Sequence, residues 1–265
     1  MPSLFYPMRF DAVAVSCEHA SNRIPARYQA YFRRARAALD SHRGWDIDAL
    51  SVARAIARRC RAPIFAANAS RLLIDLNRSP HHRALFSQWS RPLPSDARAA
   101  IVEGYYQPYR DRVEAHLRAC LDRGESVLLL SVHSFTPIWE GVERTADIGF
   151  LYDPRRRGER ILCAQWKDAL AVAAPALRVR RNYPYRGTND GFSVALRRSL
   201  RSARFACVEL EFNQALLSRG NSATIAGVVA AALDRARNVA APAALDAEVG
   251  VEPGAHGSTS PPHQR

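Results

Sequence analysis

The sequence predicts an α/β fold, a mixed, mostly parallel sheet covered by helices on both faces. Three observations predict it. Short apolar runs alternate with longer amphipathic ones along the 265 residues. The clearest apolar run, residues 127–132, is continuous and not alternating, the pattern of a strand buried on both faces. Turn-forming residues punctuate the runs, so strands follow helices as crossover units. The length suits one such domain and allows a sizeable core.

The elements read in order as follows. Ala12–Cys17 (AVAVSC) is a strand, and 18–23 is a polar loop. Residues 46–60 carry Ile47, Leu50, Ala53 and Ile56 at helical spacing. Residues 63–67 and 71–76 read as two further strands, and the proline-rich stretch 80–94 as a loop. Ser95 starts a helix, 103–123 continues as one or two more, and Gly124 ends it. After the 127–132 strand come a short strand at 148–152 and a helix at 158–171. A loop at 181–191 (RNYPYRGTNDG), a strand at 205–212 and an amphipathic helix at 221–239 complete the pattern. From about residue 240 the composition turns to Ala, Pro, Gly and Ser, that of a disordered tail. The expected organisation is one domain over 1–240 and a tail over 241–265.

The opening residues MPSLFYPMRF have no secretory leader of the usual form, and no run approaches the roughly 18 apolar residues of a membrane span. The 5 cysteines are far apart, with no CxxC pair, which fits reduced, buried thiols and a cytoplasmic location. The formal net charge of +13 is the one compositional pointer to nucleic acid. All but one of the 38 basic residues are arginine, the exception being Lys167, a skew of codon usage more than of phosphate contact. The arginines are scattered, whereas a nucleic-acid binder clusters them with aromatics between. No nucleic-acid partner and no membrane partner are expected, and the charge would serve to steer small anions.

In open sheets ligands bind beyond the carboxyl ends of the strands. Here Glu18, His19 and Asn22 follow the first strand, Asp75, Asn77 and Arg78 the 71–76 run, and His133 and Ser134 the 127–132 strand. Two strand-end histidines suggest one divalent metal of the zinc type, which takes three protein ligands and keeps an open position. Asp46, at the start of a helix, is the favoured third ligand, although a helix N-cap would also use an aspartate. Asn22 is a poor ligand for such an ion, and Glu18 points away from its neighbour on an extended chain. Glu209 and Glu211 share one face of the last strand. That face is either solvated at a sheet edge or supplies a general base for an attacking water. Arg71 and Arg78 have the bidentate fork that carboxylates fit, and Asn77 stands beside Arg78.

Other chemistries find less support. There is no G-x-S-x-G elbow and no glycine-rich phosphate loop. Cys17 falls on a strand and is expected to pack, and His81 and His82 read as a solvated pair in a loop. The alternatives to an enzyme are a metal- or ligand-binding module without turnover and a basic nucleic-acid binder.

Taken together, CEHASN at 17–22, GWD at 44–46, SRLLIDLNR at 70–78, VHS at 132–134, NYPY with a later DG over 182–191 and LEF at 210–212 resemble the N-formylglutamate amidohydrolase family. The order of these segments carries more weight than any one of them, and they run from about residue 12 to 220. The resemblance implies a zinc-peptidase-like fold and metal-dependent hydrolysis of a small acidic N-acyl amino acid such as N-formylglutamate. By position it implies His19, Asp46 and His133 as metal ligands, and Arg71, Asn77, Arg78, Asn182 and Tyr185 as substrate-binding residues. It makes Glu211, before Glu209, the strand carboxylate that does chemistry. The first segment departs from the histidine-degrading deformylases, which read Pro-His-x-Gly where this chain has Glu18-His19-Ala20-Ser21. A sister branch with CEHASN is the closer match, which leaves the acyl group and the amino acid open and the reaction type unchanged.

Overall fold

The apolar runs become the strands of one sheet. The computed structural model describes residues 9–218 and 220–238; the tail expected over 241–265 lies outside them. The strands are β1 (Ala12–Cys17), β2 (Ile64–Ala66), β3 (Val127–Phe135), β4 (Ile138–Trp139), β5 (Val142–Glu143), β6 (Ile148–Leu151), β7 (Val179–Arg181) and β8 (Phe205–Asn213). Six of them form a sheet in the order β2-β1-β3-β8-β6-β7, and β4 and β5 pair as a separate hairpin. Strands β2, β1, β3 and β8 run parallel, whereas β6 is antiparallel to β8 and parallel to β7. The sheet is mixed and mostly parallel, as the sequence predicts.

The helices are α1 (Arg36–Leu39), α2 (Ala49–Cys60), α3 (Ser95–Ile101), α4 (Gln107–Asp122), α5 (Arg157–Ala173), α6 (Phe192–Leu200), α7 (Gln214–Leu217) and α8 (Ser222–Asn238). A π-helical stretch, Val102–Tyr106, joins α3 to α4. Gly124 stops α4 with a positive φ of 82°, a backbone conformation that glycine adopts at little cost. Every residue of β3 and β8 is buried, and side chains alternate along a strand, so both faces of the sheet centre are covered. Helices α2, α5 and α8 pack together, while α4 lies against β1, β3 and α6. Trp166 on α5 is fully buried, stacks on Phe150 of β6 at 4.6 Å between ring centroids, and donates its indole N–H to the Val229 carbonyl of α8 at 2.9 Å. Burying an aromatic of this size is worth several kcal/mol, roughly the 3–5 kcal/mol lost on truncating one to alanine.

One expected strand is not a strand. Residues 71–76 form turns, although Leu72, Leu73 and Ile74 are buried. An apolar run shows that a segment is buried without showing its backbone state. Here local serine and aspartate groups satisfy the backbone in place of a ladder. The Ser70 hydroxyl accepts from Leu72 N at 3.1 Å, the Ser90 hydroxyl donates to the Leu72 carbonyl at 3.0 Å, and Asp75 accepts from Asn77 N at 3.0 Å. Asp46 does not cap the helix it was expected to open. The helix starts at Ala49, and Asp46 lies ahead of it, its N–H donating to the His19 carbonyl at 3.0 Å. Helices α1, α6 and α7, strand β7 and the β4–β5 hairpin are additions to the predicted elements.

Candidate active site

Three chain segments meet at the carboxyl ends of β1 and β3. His19 lies two residues past β1, His133 sits within β3, and the Asp46 backbone bond to His19 draws the turn before α2 onto the strand ends. Asp46 Oδ2 is 3.3 Å from His19 Nδ1 and 2.8 Å from His133 Nδ1. The candidate ligand atoms of His19, Asp46 and His133 lie within 4.8 Å of one another, and all three residues are buried. This is the trio the sequence favoured. The alternatives are turned elsewhere: Asn22 faces Asp40, and Glu18 faces the far side of His133.

A second layer of groups holds the rings. His19 Nε2 is 2.8 Å from Asp75 Oδ1. His133 Nε2 is 3.0 Å from Ser131 Oγ and 3.2 Å from Glu18 Oε2. Glu18 also accepts from the Ser131 hydroxyl at 2.7 Å and from the Tyr109 hydroxyl at 3.2 Å. A histidine whose outer nitrogen rests on a carboxylate has its ring fixed and its other nitrogen presented to a metal. Arg71 bridges the two aspartates, with contacts of 3.2 Å to Asp46 Oδ1 and 3.0 Å to Asp75 Oδ2.

The electrostatics follow from this crowding. Burial raises the Asp46 carboxyl, but His19, His133 and Arg71 outweigh it and hold the group well below the usual carboxylate range. Burial likewise opposes ionisation of Glu18, and His133 and Ser131 bring it down to about 2. The His133 ring, which burial would push down, is driven well up by Asp46 and Glu18. Glu211 goes the other way. Burial, with Asp46 and Glu209 adding and His133 opposing, raises its carboxyl to about 7. Its Oε2 is buried with no hydrogen-bond partner. Two imidazole nitrogens, one carboxylate oxygen, ring-holding carboxylates and an unsatisfied buried carboxyl nearby suit a divalent ion of the zinc type.

The trio lies in the wall of a cavity of about 450 Å³, together with Glu209, Glu211, Arg71, Asn77, Arg78 and Tyr185. Glu211 is the register partner of His133 across β3 and β8. Glu209 accepts a short hydrogen bond from the Ser193 hydroxyl. The Arg78 guanidinium donates to the Asp190 carbonyl at 3.0 Å, and Asn77 Oδ1 accepts from Phe192 N at 2.7 Å. Asn182 is absent from the cavity wall. With φ of 50°, it accepts from Tyr152 N at 3.1 Å and Gly187 N at 3.0 Å and so shapes the 182–191 loop from behind. That loop lies hard against the sheet: a Cβ on Gly149 would stand 1.8 Å from the Tyr183 carbonyl oxygen. Sequence reasoning missed Trp139, Arg144, Arg186 and Asp190, which also line the cavity. No periodicity marks them, and only the NYPY–DG segment pointed to that region. Cys17 is fully buried, as expected, and all 5 cysteines are free.

The molecule is thus an α/β protein with a buried His–Asp–His cluster in a cavity at its strand ends. The family model of N-formylglutamate amidohydrolase matches residues 12–218, and the chain belongs to that family. Among solved structures it is similar to gene product Atu2144 from Agrobacterium tumefaciens, with 29% identity and a TM-score of 0.71, covering 86% of this chain and 91% of that one. It also shares its fold with N-formylglutamate amidohydrolase from Ralstonia eutropha JMP134, with 17% identity and a TM-score of 0.59, covering 85% of this chain and 92% of that one. No curated protein matches the chain. Among the described residues no helix is long and apolar enough to cross a membrane.

Proposed function

We propose that this chain is a cytoplasmic, metal-dependent amidohydrolase that cleaves the amide bond of a small acidic N-acyl amino acid, N-formylglutamate being the reference substrate. The observation that carries this reading is the buried His19–Asp46–His133 cluster with both rings held by carboxylates, in a chain of this family. His19, Asp46 and His133 would hold a divalent ion of the zinc type, which when bound would supply the Lewis acidity for polarising an amide carbonyl and acidifying water.

The other roles belong to the chain. Glu211 is buried beside the cluster, in the cavity wall, with an oxygen that has no hydrogen-bond partner, the placement a general base needs. It accepts a proton from the attacking water and passes it to the departing amine, so the acyl amide and water become a carboxylic acid and an amine. Glu209 shares that face of β8, tethered by Ser193. Arg78, steadied by Asp190, takes a substrate carboxylate with Asn77 beside it. Arg71 works from behind, orienting Asp46 and Asp75.

Metal analysis paired with deformylation assays tests this. Protein reconstituted with zinc should hold about one ion per chain, which His19→Ala and His133→Ala lose. Glu211→Gln should keep the ion while turnover falls by about 10²–10⁴. Absence of bound metal after reconstitution, or no hydrolysis across a panel of N-acyl amino acids, would overturn the proposal.

A further inference from the structure

An acidic N-acyl amino acid carries two carboxylates, and the sequence offers Arg78 and Arg71 for them. Arg71 is already neutralised by Asp46 and Asp75, so its fork faces inward. A second guanidinium has to come from elsewhere in the cavity. Three more line it: Arg43, Arg144 and Arg186. Arg43 and Arg186 are exposed, whereas Arg144 is half-buried.

Arg144 is also the best held of the three. Its guanidinium lies 5.7, 5.1 and 5.2 Å from the ring centroids of Phe135, Trp139 and Tyr185. It donates to the Tyr185 hydroxyl at 3.2 Å. No carboxylate of the described residues forms a salt bridge with it. Its backbone is fixed on both sides. The N–H donates to the Pro137 carbonyl at 2.7 Å, closing the β4–β5 hairpin, and the carbonyl accepts from Asn213 Nδ2 at 3.1 Å, at the end of β8. Aromatic faces satisfy a guanidinium's planes and leave its N–H edge for an anion. A cation so placed, pre-oriented and without a carboxylate of its own, is a receptor for a carboxylate.

We infer that Arg144, framed by Trp139 and Tyr185, is the specificity residue that reads the side-chain carboxylate of the substrate, while Arg78 takes the α-carboxylate. This rests on the proposed amidohydrolase activity. The uncharged isostere is thereby discriminated against at Arg144.

The test compares the zinc-loaded full chain with Arg144→Gln and Arg144→Lys on N-formyl-L-glutamate and N-formyl-L-glutamine, with L-glutamate and L-glutamine titrated calorimetrically in parallel. Thermal melting identifies any variant that fails to fold, and Arg144→Lys, which keeps the charge and loses the fork, serves if Arg144→Gln does. Wild type should favour formylglutamate. Arg144→Gln should lose about 10- to 100-fold in kcat/KM on formylglutamate, mostly through KM, and only a few-fold on formylglutamine, so the preference collapses. Arg144→Lys should fall between. Equal losses on both substrates, or no loss on formylglutamate, would overturn the assignment. If neither substrate turns over, the enzymatic reading fails and calorimetry decides Arg144 alone. L-glutamate binding that is lost in Arg144→Gln supports it, and binding that persists or is absent from wild type overturns it.

Discussion

At the scale of single residues, Glu211 carries the sharpest expectation. Its carboxyl, ordinarily near 4.5, is raised to about 7 first by burial and then by Asp46 and Glu209. In a group whose folded value lies above its unfolded one, the protonated form is favoured by folding. Its stabilising contribution is therefore complete below 4.5 and is lost as pH rises through about 7. The size corresponds to about 3 kcal/mol. Metal-free wild type should accordingly lose stability relative to metal-free Glu211→Gln as pH rises from roughly 5 to 8. Urea melts across that range check it; parallel profiles for the two proteins would mean that Glu211 ionises freely. The two histidines were legible because each stands at or just past a continuous apolar strand. The work of Arg71 was not, since its partners Asp46 and Asp75 reach it only through the folded turn. Asn182 was read as a substrate group from its neighbours in NYPY, whereas its Oδ1 accepts from the Tyr152 and Gly187 backbone and the residue is not in the cavity wall.

At the scale of elements, the segment 70–78 shows what an apolar run leaves undetermined. Its burial was legible and its backbone was not, because Ser70, Ser87 and Ser90 supply from outside the run the bonds a neighbouring strand would have given. Ser70 does most for the site. Its hydroxyl accepts from Leu72 N and donates to the Gly44 carbonyl at 2.8 Å, and Gly44 has no room for a side chain, since a Cβ would stand 2.4 Å from the Leu39 carbonyl oxygen. Gly44 is two residues from Asp46, so Ser70 links the turn bearing Asp46 to the segment bearing Asp75. Ser70→Ala leaves two buried backbone groups without this partner and should cost about 2–3 kcal/mol in chemical denaturation. It should also weaken zinc binding by roughly tenfold, the low end for outer groups that orient ligands. Unaltered zinc affinity in a destabilised variant would restrict Ser70 to the fold. The hairpin went unread for a different reason. Its strands are two residues each, and only Glu140 and Gly141, with φ of 49° and 79°, mark its turn.

At the scale of the whole molecule, the net charge of +13 is the feature most open to misreading. The arginines are scattered along the chain and not gathered on one element, and two of them serve the fold: Arg197 is buried against Glu159 and the Gly187 and Cys207 carbonyls, and Arg156 reaches the Ser202 and Phe205 carbonyls. Binding to DNA should therefore be weak at physiological salt, independent of sequence, and no different in His133→Ala. Filter binding measures it, and submicromolar, sequence-dependent affinity would add a second function. The strand order was not legible, because periodicity gives elements without their neighbours, and the reversal of β6 and β7 against β8 has no local mark. That reversal divides labour along the chain. The groups proposed for bond cleavage sit on or beside the parallel strands β1, β3 and β8, while Trp139, Arg144, Tyr185, Arg186 and Asp190 all come from the excursion between β3 and α6. Sequence drift within that single stretch can retune which amino acid is admitted while the residues that cut the bond stay as they are, so a family built on this plan can diversify its diet without reinventing its chemistry.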